Sequence, residues 1–435
     1  MEKSYDAIVI GAGVIGCCTA YELAKKGWRT LNVDKLHGAG YGSTSSSCAV
    51  VRFHYSTPDG VALARESYYH WLDWARYLGV EDEMGLARYV NTGCLLFKTE
   101  KNHQLTRVMA SLEEVGVAYR ELDARALGSF LPGVDTRRFG PPVVRDDPGF
   151  GSPRDGEVPG AIYIPETGYI TDPQLSCHNV QRACEARGGE FRFHSEVREI
   201  LRTGDRAGGV RLADGTPIAA PVVVNVAGPH STRINRLAGV EEEMKIKIRP
   251  LKHEVCHLPA PDRGDWETGA TMLSDGDTGS YLRPGPGGHV LVGSEDPACD
   301  EREWVDDPDD YNTSFSEQWF TQALRMAQRV PDLPIPVRAR GVVDLYDVSD
   351  DWIPVYDRSD LPGFYMAVGT SGNQYKNGPV VGQLMAELIE RVEEGHDHDR
   401  DPVRFRLRYL RRALDLGGFS RRRAVRQDSS FSVIG

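Results

Sequence analysis

A glycine-rich turn near the start of the chain constrains the fold more than any other feature. The letters G-A-G-V-I-G occupy residues 11–16, after an apolar run at residues 5–10 and before apolar residues at helical spacing over residues 14–26. A second strand is predicted over residues 29–33. A strand, a glycine turn, a helix and a second strand within about 30 residues form a βαβ unit that binds a dinucleotide.

Each glycine of the motif has its own physical role. Gly11 permits the tight turn, Gly13 lets backbone amides approach a pyrophosphate, and Gly16 lets the helix pack closely on the sheet. The helix N-terminus adds unpaired N–H groups and the positive end of the helix dipole. Asp34, directly after the second strand, is in the position that holds a ribose hydroxyl. The alternative is a glycine turn without a ligand, which would not explain why the strand, the helix, the second strand and the acid all occur at the expected positions.

The motif alone does not separate NAD from FAD. Two further apolar runs that end in glycine lie far along the chain, at residues 222–228 and 364–369. This distance favours one long cofactor that lies across parts from both ends of the chain. We therefore predict FAD.

Alternating patterns between these elements predict a second lobe. Residues 93–97 and 289–293 alternate in a way typical of antiparallel strands. The predicted fold class is α/β plus α+β, with a Rossmann-like FAD-binding domain interleaved with an antiparallel-sheet substrate domain. The predicted boundaries are 1–84, 145–239 and 340–400 for the first domain, 85–144 and 240–339 for the second, and 401–435 for a basic C-terminal extension.

Composition excludes several classes of protein. The 435 residues include 51 basic and 63 acidic side chains, a net charge of −12 that argues against a nucleic-acid partner. No run approaches the about 20 apolar residues that span a bilayer. The first residues leave no room for a signal peptide, and the eight cysteines form no Cys-x-x-Cys pair. We expect a cytoplasmic protein; the sequence leaves monomer and oligomer open.

The C-terminal extension differs in charge from the rest of the chain. Residues 404–426 contain nine arginines and one acid. One interpretation is a basic surface for a partner or an anion, and the favoured one is a helix that packs on the acidic body with its arginines solvated or paired. A second charged stretch, His396-Asp397-His398-Asp399, is interpreted as a solvated turn, and no metal site is predicted.

Several segments resemble the D-amino-acid oxidase superfamily of flavoproteins, and within it the monomeric sarcosine oxidases and the β subunit of the heterotetrameric ones. The resemblance covers most of residues 4–395 and rests on residues 5–35, 42–47, 51–55, 226–231, 341–344 and 369–376. It implies that FAD is bound by Gly11, Gly13, Val14, Ile15, Gly16, Asp34, Lys35, Ser43, Thr44, Arg52, Val197, Ala227, Gly228, Gly369, Gly372, Asn373, Gln374, Tyr375 and Lys376.

The resemblance also implies a substrate site. Arg52 and Lys376 correspond to the pair that binds the substrate carboxylate, and a guanidinium and an ammonium suit that task. The alternative is a structural ion pair for Arg52 and a solvated loop position for Lys376. His253 and Tyr281 are further candidates near the flavin, each with a packing role as its alternative.

Four departures from the family pattern affect the chemistry. Asp344, Ser46 and residues 170–172 stand where related proteins attach a flavin covalently. The resemblance therefore implies non-covalent FAD and no second flavin. Leu291 replaces a lysine that promotes the reaction with oxygen, which puts oxidase activity in doubt.

The expected function is oxidation of a small carboxylate-bearing secondary or N-methyl amine, by hydride transfer to flavin N5 and hydrolysis of the imine. The partners are the amine or amino-acid substrate and oxygen or another electron acceptor. Three alternatives stay open: a dehydrogenase with a different acceptor, an enzyme for a larger natural-product amine, and a flavoprotein subunit that docks through the basic extension.

Overall fold

The chain alternates between helices and short strands. The computed structural model describes residues 4–262, 266 and 270–434. The helices in this part of the chain are α1 (Val14–Lys25), α2 (Pro58–Leu72), α3 (Trp74–Leu78), α4 (Thr106–Val115), α5 (Ala124–Phe130), α6 (Pro173–Glu185), α7 (Ser231–Ala238), α8 (Glu317–Arg329) and α9 (Gly378–Glu393).

The strands are mostly short, as expected for a chain with many glycine turns. They are β1 (Ala7–Ile10), β2 (Thr30–Val33), β3 (Val50–Val51), β4 (Tyr89–Asn91), β5 (Cys94–Phe97), β6 (Arg120–Asp123), β7 (Arg137–Arg138), β8 (Arg154–Glu157), β9 (Gly160–Ile164), β10 (Gly168–Ile170), β11 (Glu190–Arg192), β12 (Val197–Thr203), β13 (Arg206–Leu212), β14 (Pro217–Ala219), β15 (Val222–Asn225), β16 (Ile248–Pro259), β17 (Met272–Asp275), β18 (Ser280–Gly285), β19 (His289–Ser294), β20 (Gly341–Ser349), β21 (Val355–Arg358), β22 (Phe364–Val368), β23 (Arg404–Leu407) and β24 (Arg412–Asp415).

The predicted βαβ unit forms the centre of a six-stranded sheet. Its strand order is β11-β2-β1-β15-β22-β21, with all neighbours parallel except β21. The buried strands β1, β15 and β22 are apolar on both faces because helices and a small β12-β13-β14 sheet cover them. Strands from the beginning, middle and end of the chain therefore lie side by side.

The second lobe is an eight-stranded sheet, in the order β20-β16-β19-β18-β17-β5-β9-β6. Neighbouring strands in this sheet are antiparallel, except that β17 and β5 are parallel. One face packs on α8, around the buried Trp319 and Met326, and the other faces the six-stranded sheet. The predicted fold class, a Rossmann-like domain interleaved with an antiparallel sheet, is confirmed.

Two predicted boundaries differ from the pairing of the strands. The proposed boundaries put β9 and β20 with the nucleotide-binding segments, whereas both strands pair within the eight-stranded sheet. The physical reason is that both strands begin at a glycine, Gly160 and Gly341, and the local sequence does not show which sheet such a strand joins. The division of the chain into domains stays a proposal.

The C-terminal extension forms a β23-β24 hairpin, where the sequence interpretation favoured a helix. In the described part of the extension, the predicted pairing is found at five arginines, Arg412, Arg421, Arg422, Arg423 and Arg426. Arg421 is fully buried and lies 3.0 Å from Asp357, and Arg423 lies 2.7 Å from Asp351. Alternating arginine and apolar residues build the strand, and Phe405 joins the same core as the six-stranded sheet.

Close contact of backbones holds the separated segments together. A Cβ on Gly11 would lie 2.3 Å from the carbonyl oxygen of Val226, at the end of β15. A Cβ on Gly382 would lie 2.5 Å from the carbonyl oxygen of Cys18, where α9 crosses α1. The glycine turn, the loop after β15 and the loop before α9 therefore meet at one edge of the sheet.

We expect Gly11→Ala to destabilise the fold strongly. Gly11 has φ +114°, which L residues rarely adopt, and the new Cβ would strike the Val226 backbone. The matched control is Gly27→Ala, at φ +86° with open space around it. The control should lose about 1 kcal/mol of unfolding free energy, and Gly11→Ala at least about 2 kcal/mol more, measured by urea denaturation. Equal losses would contradict this packing.

Candidate functional site

A deep cavity lies between the two large sheets. Its volume is about 510 Å³, and it runs from the glycine turn to the loop before α9. Strand ends of the six-stranded sheet form one wall, and β16, β18 and β20 of the eight-stranded sheet form the other. The predicted site residues that line it are Gly11, Gly13, Val14, Ile15, Gly16, Asp34, Lys35, Ser43, Thr44, Arg52, Val197, Ala227, Gly228, His253, Tyr281, Gly372, Asn373, Gln374, Tyr375 and Lys376.

Gly369 is the one predicted site residue that does not line the cavity. Its N–H donates to Asp347 Oδ2 at 2.8 Å, at the start of the loop that leads to α9. The buried Asp347 carboxylate also accepts the Thr370 N–H at 3.0 Å. Gly369 therefore shapes the loop, and the residues after it reach the cavity.

The glycine turn fits a pyrophosphate. Helix α1 starts after Gly13 with no side-chain cap and no acidic residue in its first turn. Its Val14 N–H donates to Thr44 Oγ1 at 3.1 Å, which ties the loop after β2 to the helix N-terminus. The remaining amides of the first turn, together with the helix dipole, favour an anion at this end of the cavity.

Asp34 is positioned by two backbone hydrogen bonds. The Ala12 N–H donates to Oδ2 at 2.7 Å and the Leu36 N–H donates to Oδ1 at 2.8 Å. The carboxylate thus lies at the mouth of the glycine turn and lines the cavity. Its place at the end of β2 fits the ribose of a dinucleotide.

Charged side chains surround this nucleotide end of the cavity. Lys35 Nζ is 2.7 Å from His230 Nε2 and pairs with Asp309. Arg233 NH1 lies 2.8 Å from the second oxygen of Asp309. These charged residues give the cleft a polar rim, and the apolar Val197 on β12 lines the cavity beside them. The arrangement from the glycine turn to this rim fits the ADP half of FAD.

Lys376 is a buried amine at the opposite end of the cavity. It is 3% exposed, and its Nζ donates to Tyr55 Oη at 2.8 Å and to the Asn373 carbonyl oxygen at 2.6 Å. Burial, and secondly the charge of Arg52, hold the pKa of Lys376 well below its usual range. The alternative of a solvated loop residue does not describe this position.

Arg52 reaches the same region from the segment after β3. Its NH2 donates to the carbonyl oxygens of Val433 at 2.7 Å and Ile434 at 2.9 Å, and its NH1 donates to the His54 carbonyl oxygen. Its guanidinium also stacks over the Tyr55 ring at 4.6 Å. Arg52 therefore holds the terminal segment, residues 429–434, against the cavity.

His253 and Tyr281 line the wall that the eight-stranded sheet provides. The His253 ring stacks on Tyr346 at 4.1 Å, and its Nε2 is 3.4 Å from Asp296 Oδ1. Burial lowers the pKa of His253. Tyr281 Oη is 3.3 Å from Cys48 Sγ, and burial raises its pKa. Both side chains therefore line the cavity and also pack against neighbouring residues.

Sequence reasoning missed three features of the site. Glu295 follows β19, Arg283 lies on β18, and Val433 belongs to the terminal segment; all three line the cavity. Arg283 is 6% exposed, and among the described residues no carboxylate lies within ion-pair distance of it. Alternation with the core residue Leu282 could have placed Arg283 on the cavity face, whereas no local signal marks the terminal segment.

One group of potential metal ligands among the described residues lies outside the cavity. Asp82, Glu83 and His178 have ligand atoms within 4.8 Å of one another, and His178 Nδ1 is hydrogen-bonded to Asp82 at 2.8 Å. In the 396–399 stretch, His398 is buried and its Nδ1 accepts the Val403 N–H at 3.0 Å, so this histidine is not solvated as interpreted. The prediction of no metal site stays a prediction.

We expect Arg52→Ala to loosen the terminal segment. The substitution removes three hydrogen bonds from a charged donor, each of which typically contributes about 1.5–3 kcal/mol. Hydrogen exchange of residues 429–434, followed by mass spectrometry, should become at least about tenfold faster. The control Arg406→Ala changes an exposed arginine on β23 and should leave this exchange unchanged. Unchanged exchange in Arg52→Ala would contradict the anchoring role.

Each helix in the described part of the chain is too short or too polar to span a bilayer.

The model of a family of FAD-dependent oxidoreductases, DAO, matches residues 6–388. Glycine oxidase of Geobacillus kaustophilus is 24% identical, over 91% of this chain and 96% of that protein. Sarcosine oxidase subunit beta of an Arthrobacter species is 23% identical, over 91% of this chain and 93% of that protein.

A solved structure shows the same fold. The crystal structure of L-proline dehydrogenase from P. horikoshii has a TM-score of 0.73 and 22% identity, and the match covers 91% of this chain and all of that one. The family model spans most of the chain, and the glycine turn, Asp34 and the cleft between the sheets fit its cofactor. The chain therefore belongs to the DAO family of FAD-dependent oxidoreductases.

Proposed function

We propose that the protein oxidises the C–N bond of a small amine or amino acid that carries a carboxylate. The observation that supports this function is the pair of buried cations, Arg52 and Lys376, at the end of the cavity away from the glycine turn. Burying two basic side chains in one cavity is costly for their charged forms unless an anion compensates them. A substrate carboxylate would supply that charge.

The relatives support the same substrate class. Glycine oxidase, sarcosine oxidase subunit beta and L-proline dehydrogenase are named for substrates that are amines with a carboxylate. The proposed substrates are therefore glycine-like, N-methyl or cyclic secondary amino acids, and sarcosine-like chemistry is one member of this set.

The residues of the chain bind, orient and enclose the substrate. FAD, when bound, supplies a two-electron acceptor for the carbon next to the amine nitrogen. Arg52 and Lys376 fix the carboxylate and thereby the position of that carbon. The glycine turn, Asp34, Ser43 and Thr44 would hold the cofactor without a covalent bond. The half-buried side chains of Tyr281 and Tyr346 line the cavity wall that the eight-stranded sheet provides.

Substrate binding at Arg52 requires movement of the terminal segment. In the structure the carbonyl oxygens of Val433 and Ile434 accept hydrogen bonds from the Arg52 guanidinium. A carboxylate offers two charged acceptors in place of two neutral ones, and charge-assisted hydrogen bonds are about twice as strong. We therefore propose that the substrate replaces these carbonyl oxygens.

The electron acceptor is oxygen or another oxidant, and the two give different products. Leu291, which replaces the family lysine, pairs with Arg283 on the neighbouring strand. A cation is therefore present beside this position. An oxidase forms hydrogen peroxide in air, whereas a dehydrogenase reduces an artificial acceptor and forms little peroxide. Measuring both reactions distinguishes the two.

Anaerobic loss of visible flavin absorbance tests the proposed function. The purified holoprotein is mixed with sarcosine, other N-methyl amino acids, glycine, proline and D-amino acids, each beside its methyl ester. At least one free acid should reduce the flavin, and its ester should react much more weakly because the ester lacks the anion. Arg52→Ala should need at least about tenfold more substrate for half-maximal reduction.

The exposed-arginine variant Arg406→Ala is the matched control and should behave as wild type. Reduction by no amine in the panel would contradict the proposed function. Equal reduction by an acid and its ester, or by wild type and Arg52→Ala, would contradict the carboxylate site and leave amine oxidation intact.

A further inference from the structure

Glu295 is a buried acid in the cavity that the fold does not use. It follows β19, is 8% exposed and lines the cavity. Its Oε1 accepts a hydrogen bond from Ser274 Oγ on β17, and its N–H donates to the Gly279 carbonyl oxygen at 3.0 Å. Among the described residues, no basic side chain lies within 4.0 Å of its carboxylate.

The charges that face Glu295 come from several elements. Arg52 interacts with it favourably, and Asp275 and Asp296 interact with it unfavourably. Asp275 is itself paired with Arg329 at 2.7 Å. Burial chiefly raises the pKa of the Cys94 thiol on β5, and the charge of Arg52 lowers this pKa while that of Glu295 raises it. The cavity therefore presents a guanidinium and a carboxyl group in one neighbourhood.

This arrangement is complementary to an amino acid. An α-amino acid in neutral water carries a carboxylate and an ammonium group two bonds apart on one carbon skeleton. The carboxylate is matched by Arg52, as proposed above, and the ammonium needs an acceptor. An ammonium has no nitrogen lone pair, so it must lose a proton before its neighbouring carbon can be oxidised.

We propose that Glu295 accepts the proton of the substrate ammonium and so prepares the amine for oxidation. The N–H bond of the ammonium breaks and an O–H bond forms on the carboxylate, with no change in oxidation state. The proposal rests on the proposed function, because it assigns the amine end of the same substrate.

Burial suits a carboxyl group to this role. Burial chiefly raises the pKa of Glu295 from an ordinary 4.5 to about 8. An aliphatic ammonium has a pKa of about 10, so transfer to a carboxylate of pKa about 8 is unfavourable by about 100-fold, against more than about 100,000-fold for an ordinary glutamate. The ionised form of Glu295, which predominates above about pH 8, can thereby take the proton from the bound ammonium.

The other titratable groups of the cavity are weaker candidates. Burial lowers the pKa of His253, which makes its imidazole a weaker base, and its Nε2 lies 3.4 Å from Asp296 Oδ1. The Lys376 amine donates hydrogen bonds to Tyr55 Oη and to the Asn373 carbonyl oxygen, and it is assigned above to the carboxylate end of the substrate. Asp296 is half-buried, lies 3.4 Å from His253 Nε2, and does not line the cavity.

The test compares wild type, Glu295→Gln, Asp296→Asn and the exposed control Glu81→Gln from about pH 6 to about pH 10. The readout is the anaerobic rate of flavin reduction by the best substrate of the panel. The Glu295 carboxylate must be ionised to accept a proton, so the wild-type rate should rise through about pH 8 and then level off.

Glu295→Gln should be slower by at least about 100-fold at neutral pH. Its rate should recover about tenfold for each pH unit, up to the pKa of the free amine, because the neutral amine then binds directly. A merely structural role would lower the rate at every pH without this recovery. Glu81→Gln should follow wild type. A circular dichroism spectrum and flavin content equal to wild type show that the variant is folded.

Two outcomes overturn the proposal and leave the proposed function standing. In the first, the rate of Glu295→Gln changes with pH in parallel with the rate of wild type. In the second, the rate of Asp296→Asn, and not that of Glu295→Gln, is low at neutral pH and recovers as the pH rises. Absence of flavin reduction in wild type by every amine overturns the proposed function, and the role of Glu295 with it.

Discussion

The close approach of backbones at Gly11 and at Gly382 is the constraint on which the rest of the structure depends. At both positions a single methyl group would strike a carbonyl oxygen from a distant part of the chain. Because no side chain intervenes, the glycine turn, the loop after β15 and the loop before α9 converge at one sheet edge. The cavity exists because these three segments meet there, and parallel sheets commonly bind ligands at such an edge.

The charge of the cavity differs from the charge of the whole chain. The net charge of −12 describes mostly exposed acids, whereas Arg52, Lys376 and Arg283 are almost fully buried along the cavity. Taking three cations out of water is unfavourable, and burial accordingly lowers the pKa of Lys376 and of Arg283. Such a site is organised to attract anions and to hold them strongly once bound.

The sequence predicted the elements that depend on local rules. The glycine turn, Asp34 after β2 and the apolar strands β15 and β22 follow from spacing and periodicity. The contacts of Arg52 could not be predicted, because they join it to Val433 and Ile434 across almost the whole chain. Glu295 escaped notice because an acid after a strand is ordinary, and only the tertiary fold buries it in the cavity that Arg52 also lines.

The central claim is that one cavity holds FAD at the glycine turn and the substrate carboxylate at Arg52 and Lys376. A crystal structure of the holoprotein, soaked with an unreactive small carboxylate such as propionate, tests it most directly. We expect the pyrophosphate at residues 11–16, the carboxylate on Arg52, and the carbonyl oxygens of Val433 and Ile434 moved away from that guanidinium. A carboxylate bound elsewhere, with Arg52 still holding the terminal segment, would show that Arg52 does not bind the substrate.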